Sequence, residues 1–160
     1  MNTLSNIVGE ICKTLLPIHE EVFFGNPKSS ISICTLSSIQ LLKEIANSTV
    51  MKKVALVGRL LSENKGIDSI VQNVISNKNI KIIILCGKEV SGHRAGHSLL
   101  ALHENGIDND GRIIDSTSPE PLLKVSKNKV KKFQNKVKII NKIGITNLDE
   151  INQMVQSLTN

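Results

Sequence analysis

Two hydrophobic periods alternate along the chain. Ser30-Ile31-Ser32-Ile33-Cys34-Thr35-Leu36 alternates polar and apolar residues as a strand does, and Val54-Ala55-Leu56-Val57, ending at Gly58, reads as a second strand. Ile82-Ile83-Ile84-Leu85-Cys86 is a continuous apolar run of strand length, expected to be covered on both faces. Between these segments the period lengthens to that of a helix. Leu4, Ile7, Val8, Ile11, Leu15 and Leu16 mark one over Thr3–Leu16 that Pro17 ends, and residues 39–46 mark a short one. Ile67, Ile70, Val71, Val74 and Ile75 mark a third, closed by Ser76-Asn77, after a loop at residues 62–66. A further helix is expected from Arg94 to Asn105, with Gly106 as its stop, and a lysine-rich one from Pro119 to Gln134. A last helix, capped by Asn147 or Thr146, carries Leu148, Ile151, Met154, Val155 and Leu158. Gly25-Asn26-Pro27 is a turn signal.

Strands are therefore expected at residues 31–36, 53–58, 81–86, 111–115 and 137–143, with 81–86 in the interior of the sheet. Strands alternating with helices imply βαβ units: an α/β, Rossmann-like fold with a mostly parallel sheet and helices on both faces. At 160 residues, without repeat or linker, the expectation is one domain over residues 1–160.

No apolar run approaches the roughly 18–20 residues needed to span a bilayer, and the N-terminus lacks the basic flank and apolar stretch of a signal peptide. Three cysteines, Cys12, Cys34 and Cys86, lack framework spacing and point to a reducing, cytoplasmic setting. Cys34 and Cys86 fall near strand ends and read as buried structural thiols. The formal charge of +6 is regional: Pro121 to Leu148 holds eight lysines and no acid. That stretch reads as a solvated helix face, or alternatively as a docking surface for an acidic partner or lipid headgroups. With no Trp, no Tyr and three Phe, the chain lacks the aromatics on which single-strand binders stack bases at about 1–3 kcal/mol each, so nucleic-acid binding is not expected. Any membrane contact is expected to be peripheral and electrostatic.

The chemistry concentrates after the third strand, in Gly87-Lys88-Glu89-Val90-Ser91-Gly92-His93-Arg94-Ala95-Gly96-His97, with His103 close behind. Ligands of open α/β sheets bind outside the carboxyl ends of strands, where this loop lies. Gly87-x4-Gly92 has the glycine spacing of a phosphate loop, but His93-Arg94 stands where Lys-Ser/Thr is required, so nucleoside triphosphate chemistry is absent. No Gly-x-Gly-x-x-Gly follows any strand. A zinc-dependent hydrolase would use His93 and His97, four apart on a helix face, with Glu89, His103 or Glu104 as a third ligand, but Arg94 replaces the glutamate such a motif needs. A third chemistry is a corrinoid, whose cobalt can take a protein histidine as its lower ligand. Ser91-x-His93-x-x-Gly96 partly matches the Asp-x-His-x-x-Gly signature of one class of cobalamin proteins.

A wider set of residues bears on that choice. Val74-Ile75-Ser76-Asn77, Ile84-Leu85-Cys86-Gly87, Glu89-Val90, Gly92-His93 and Ala101-Leu102-His103-Glu104-Asn105-Gly106 together resemble the A subunit of tetrahydromethanopterin S-methyltransferase. Supporting matches at Gly25, Pro27, Thr35-Leu36, Ser38, Gly58, Ser62-Glu63-Asn64, Gly66-Ile67, Ile113-Ile114, Pro121 and Phe133-Gln134 extend the likeness over roughly residues 20 to 150. The resemblance implies a cobamide (cobalamin) held by a Rossmann-like domain, with His93 as the axial cobalt ligand. It implies methyl transfer from methyl-tetrahydromethanopterin to the corrinoid and on to a thiol such as coenzyme M, a step of methanogenesis, with other methyltransferase subunits as partners. Imidazole favours methylated cobalt(III) over cobalt(I), so its binding and release could report the methylation state.

The remaining expectations follow from strand-end placement and the resemblance. Gly92 and Gly96 are expected to let a corrin ring approach the backbone, and Glu89 to accept the second ring nitrogen of His93. Thr35, Leu36, Gly58, Glu63, Asn64, Gly87, Ser116, Thr117 and Pro121 are expected around the cofactor's periphery. His97 reads as surface or structural and His103 as a cap on its helix end. Ser91 and His97 depart from the family pattern, as does the lysine-rich segment, and the chain ends at Asn160 where the family continues into an acidic linker and a transmembrane helix. The expectation is a soluble homologue that carries a corrinoid. The alternative from another class is a non-catalytic interaction module that keeps the fold without the cofactor.

Overall fold

The computed structural model describes residues 21–160. The helix expected over Thr3–Leu16, together with Pro17 and Cys12, lies outside the described residues. The architecture is a five-stranded sheet between two helical layers. Its strands are β1 (Val22–Phe24), β2 (Ile31–Cys34), β3 (Leu56–Gly58), β4 (Ile82–Gly87) and β5 (Lys138–Ile143), in the spatial order β1-β3-β2-β4-β5. All pairings are parallel except that of β1 with β3. The helices are α1 (Ile39–Ala46), α2 (Lys65–Ser76), α3 (Ala95–Asn105), α4 (Lys127–Lys136) and α5 (Leu148–Thr159). The expected α/β class is thus observed, and β4 is interior, flanked by β2 and β5.

Why the strands sit here follows from the side chains. Every residue of β2 is buried and five of the six in β4 are, because helices cover both faces. One apolar layer joins Cys34, Leu36, Ile83 and Leu85 to α2, α3 and α4 through Ile67, Val71, Leu99, Leu102, Val130 and Phe133. The other joins Ile31, Ile33, Val57, Ile84 and Cys86 to α1 and α5 through Leu41, Leu42, Ile45, Ile151 and Val155. The chain leaves β2 for β3 on one side and reaches β4 on the other, so the winding reverses between β2 and β4.

Three expectations fail. Residues 111–115 form no strand of the sheet. Asp108 accepts the amides of Asp110 and Arg112 and Gly111 turns at φ 85°, so the segment folds back and makes only isolated antiparallel bridges, Ile107 with Ile113 and Arg112 with Leu122. The lysine-rich helix starts at Lys127, not Pro119. Pro119 and Pro121 favour extended backbone, the Asp68 carboxylate holds the amides of Lys124 and Val125, and Ser126 caps the helix by accepting from the Lys129 amide. Finally, β1 was not expected. Its three residues are too few for periodicity to register.

Candidate functional site

The carboxyl ends of β2 and β4 are stitched shut. The Ser37 amide and hydroxyl both donate to the Lys88 carbonyl (3.1 and 2.7 Å), and the Lys88 amide donates to Ser38 Oγ. Arg59, just past β3, donates to the carbonyls of Leu36 and Ser37. Leu36 is fully buried yet sits at φ 50°, a strained setting for a bulky residue, worth roughly 1–3 kcal/mol and held by its surroundings. Gly87 is required: a Cβ there would stand 2.0 Å from the Thr35 carbonyl oxygen, and φ is +80°. With the crevice filled, the exposed chemistry lies one loop further on.

There, residues 88–94 turn over the end of the sheet. Gly92 has φ 79° and nothing within 4 Å of a notional Cβ, so it opens onto free space. Arg94 is also left-handed, at φ 49°, with its guanidinium donating to Thr117 Oγ1 at 2.8 Å. Helix α3 begins at the next residue. Its first amides are already occupied, since the Glu89 carboxylate accepts from Gly96 N (3.0 Å) and His97 N (2.9 Å) as well as from Val90 N. A side-chain carboxylate thus fills the anion site that a phosphate would otherwise take, in accord with the rejected phosphate-loop reading.

The two loop histidines are anchored separately. His93 places Nδ1 2.9 Å from Glu63 Oε2, and its side chain is 56% exposed while that of Glu63 is 2%. Glu63 arrives from the β3–α2 loop, and its other oxygen accepts the Glu120 amide at 3.0 Å. Burial raises the Glu63 pKa, but bonds from its own amide, the Glu120 amide and His93 outweigh it and hold the carboxyl below its ordinary range. His97 gives Nδ1 to Glu89 Oε2 at 2.5 Å. For Glu89 too, burial pushes upward and the bonds from Gly96, Val90 and His97 bring the pKa down. The partner of His93 is therefore Glu63 and not Glu89, because Glu89 is committed to the start of α3. The helical spacing behind the zinc reading also fails. His93 precedes α3 and Arg94 breaks the backbone between, so the two imidazoles do not share a helix face.

The other expected residues divide by exposure. Thr35 is fully buried and turns its hydroxyl to the Gly58 carbonyl, so it presents nothing to a ligand. Gly58 packs against Val22. A Cβ on Gly96 would meet Glu89, Leu36 and Ile143 at 2.9–3.0 Å, so its small size serves internal packing and not the approach of a ring. Asn64 caps α2 and bonds the Glu120 carbonyl. Pro121 is buried, and its carbonyl accepts the Ile113 amide. Ser116 belongs to a hydroxyl cluster with the buried Ser98 and Ser118. Thr117 is exposed beside Arg94. His103 does not cap its own helix: its Nε2 donates to the Val137 carbonyl and its ring meets Phe133 edge-on. Cys34 and Cys86 are buried as expected, and burial, with Cys34 beside it, pushes the Cys86 thiol far up.

Sequence reasoning missed Arg94 and Glu120. The signal for Glu120 was present. It stands between Pro119 and Pro121, and two residues without amide hydrogens leave its own N–H as the donor of a stiff, extended stretch.

A doubly wound α/β domain with a carboxylate-anchored histidine over its strand ends belongs to the class of ligand-holding nucleotide-type folds. Comparison of the whole chain narrows this: the family model of the A subunit of tetrahydromethanopterin S-methyltransferase matches residues 12–160, and the chain belongs to that family. It is 44% identical over 133 residues to the A subunit of the Mtx methyltransferase of Methanosarcina barkeri, covering 82% of this chain and 64% of that protein. It is 36% identical over 141 residues to the first of the tetrahydromethanopterin S-methyltransferase A subunits of Methanothermobacter thermautotrophicus, covering 87% and 57%. It is 37% identical over 139 residues to the corresponding A subunit of Methanocaldococcus jannaschii, covering 86% and 55%. The chain thus spans somewhat more than half of the length of these relatives. Among the described residues no helix is long and apolar enough to cross a membrane.

Proposed function

We propose that this chain is a methyl-carrier subunit that holds a cobamide through His93 and serves methyl transfer from a methyl-tetrahydromethanopterin-type donor to a thiol such as coenzyme M. The observation that carries the reading is the bond from His93 Nδ1 to the buried Glu63 carboxylate. A histidine whose Nδ1–H is donated to a carboxylate is fixed in the tautomer that leaves Nε2 as a lone pair, and the carboxylate raises its basicity. Metal-binding histidines are commonly oriented this way. The donor set therefore suits cobalt.

In this reading Glu63 is a positioning residue, itself held by the Glu120 amide. Gly92 leaves room above the loop for a flat macrocycle, and Arg94 and Thr117 border it with polar groups. A corrinoid, when bound, supplies reversible alkylation at cobalt; the protein supplies placement and electrostatics. Other subunits of the methyltransferase would deliver donor and acceptor. The test is an ultraviolet-visible spectrum of the purified chain after incubation with hydroxocobalamin and gel filtration. Stoichiometric co-elution with a histidine-ligated spectrum is expected, and His93→Ala should lose that signature while staying folded. If corrinoid elutes free at concentrations well above micromolar, the interaction-module reading replaces this one.

A further inference from the structure

Helix α4 carries a charge pattern that works against its own formation. Its sequence, Lys-Asn-Lys-Val-Lys-Lys-Phe-Gln-Asn-Lys, puts Lys127 and Lys129 in the first turn, where the helix dipole disfavours cations, and no acid accompanies them. Lys127 and Lys131 are four apart and Lys129 and Lys132 three apart, both repulsive spacings. What holds the helix is Ser126 at its cap and the buried Val130 and Phe133, worth about 1.5–3 kcal/mol each by transfer. The lysines do not contribute through ion pairs. Among the described residues, contact ion pairs are confined to the two histidine–glutamate contacts. Lys136 has a structural role, donating to the carbonyls of Val74 and Asn77 at the end of α2. Lys127 reaches only the neutral Asn109. Lys124, Lys129, Lys131 and Lys132 are exposed.

We propose that the outward face of α4, with Lys124, Lys127, Lys129, Lys131 and Lys132, docks an acidic segment of a partner protein. Charge complementarity selects an anion, and the geometry selects a partner that can wrap. At about 100° per residue, Lys127, Lys131, Lys132 and Lys129 follow one another around an arc of about 200°. A flat bilayer reaches only part of such an arc, and the exposed positions between the lysines are Asn128 and Asn135, with no apolar side chain to insert. No aromatic residue on this face offers a base-stacking platform.

The test titrates the full chain with a fluorescently labelled, glutamate-rich peptide, with phosphatidylserine vesicles and with duplex DNA, at low and high salt. The peptide should bind most tightly and be released by salt. K127Q/K129Q/K131Q/K132Q should weaken peptide binding about tenfold or more. A control of equal charge change at exposed sites elsewhere, K28Q/K43Q/K52Q/K53Q, should leave it nearly intact. The α4 variant should also melt at or above the wild-type temperature, because repulsion is relieved, and the corresponding Lys→Arg variant should keep binding. Equal weakening by both Gln variants, tighter binding to vesicles or DNA than to peptide, or a lowered melting temperature in the α4 variant would each overturn the proposal.

Discussion

Glu63→Gln is the substitution that most directly probes the site. It keeps the shape of the side chain and removes its charge. In the native site one carboxylate oxygen accepts from His93 at 2.9 Å and the other from the Glu120 amide at 3.0 Å, in a side chain only 2% exposed. A carboxamide has one acceptor oxygen, so its NH2 must face one of these two donors. His93 is more than half exposed and can turn to water, whereas the Glu120 amide is held by the proline-flanked loop, so the oxygen is expected to stay with Glu120. The stability loss should then be modest, about 1–3 kcal/mol for losing a charge-assisted bond, or a melting shift of very roughly 2–10 °C. The effect on ligand is larger in kind, because His93 is released from its tautomer. Loss of such an orienting carboxylate typically lowers metal affinity about 10–100-fold. The assay is a hydroxocobalamin titration followed by absorbance, run beside thermal melts of the same samples. Wild-type affinity and spectrum in Glu63→Gln, with His93→Ala abolishing both, would refute the claim that Glu63 orients the ligand histidine.

Three further outcomes follow from the same geometry. Gly96→Ala should destabilise the fold by about 1–3 kcal/mol, since its Cβ would meet Glu89, Leu36 and Ile143 at 2.9–3.0 Å, whereas Gly92→Ala meets nothing and should show only the smaller penalty of its positive φ; urea midpoints compare them, and equal losses would argue against the packing account. Because Glu63 and Glu89 both have folded-state pKa values below the ordinary 4.5, their stabilisation is complete above that value and lost as pH falls through the depressed ones; melting temperature should be level down to about pH 5 and drop beneath it, and a drop beginning near neutrality would contradict the assignment. With Cys12 replaced by Ser, the native protein should resist a thiol reagent at neutral pH and expose Cys34 and Cys86 to it only on denaturation, because both are buried and the Cys86 thiol is pushed up; prompt reaction in the native state would show that the sheet opens readily there.

The layered α/β class, the interior position of β4, helix α1 and the glycine stop after α3 were legible from the chain alone. Apolar periodicity reports which residues must leave water, and that requirement acts locally and repeats. The excursion after α3 was not legible in this way. Arg112-Ile113-Ile114 has strand composition, but the Asp108–Gly111 turn returns it onto Ile107, and Asp68, distant in sequence, holds the chain extended up to Ser126. Such competition between a local preference and a partner more than fifty residues away is decided only when both are folded.

The site divides along the same line. His93 stood out through its loop of glycines at a strand end, and the family resemblance reinforced it. The choice of its partner did not. Glu89 is four residues away and Glu63 thirty, and sequence proximity favoured the nearer one. The fold sends Glu89 to the free amides at the start of α3, where a carboxylate gains three N–H donors, and brings the β3–α2 loop beneath His93 so that a buried Glu63 meets it. Sequence by itself determined which residue types could do chemistry in this protein. The tertiary structure alone decided which of two equivalent carboxylates holds the histidine, because that depends on which unsatisfied donors each one reaches first in space.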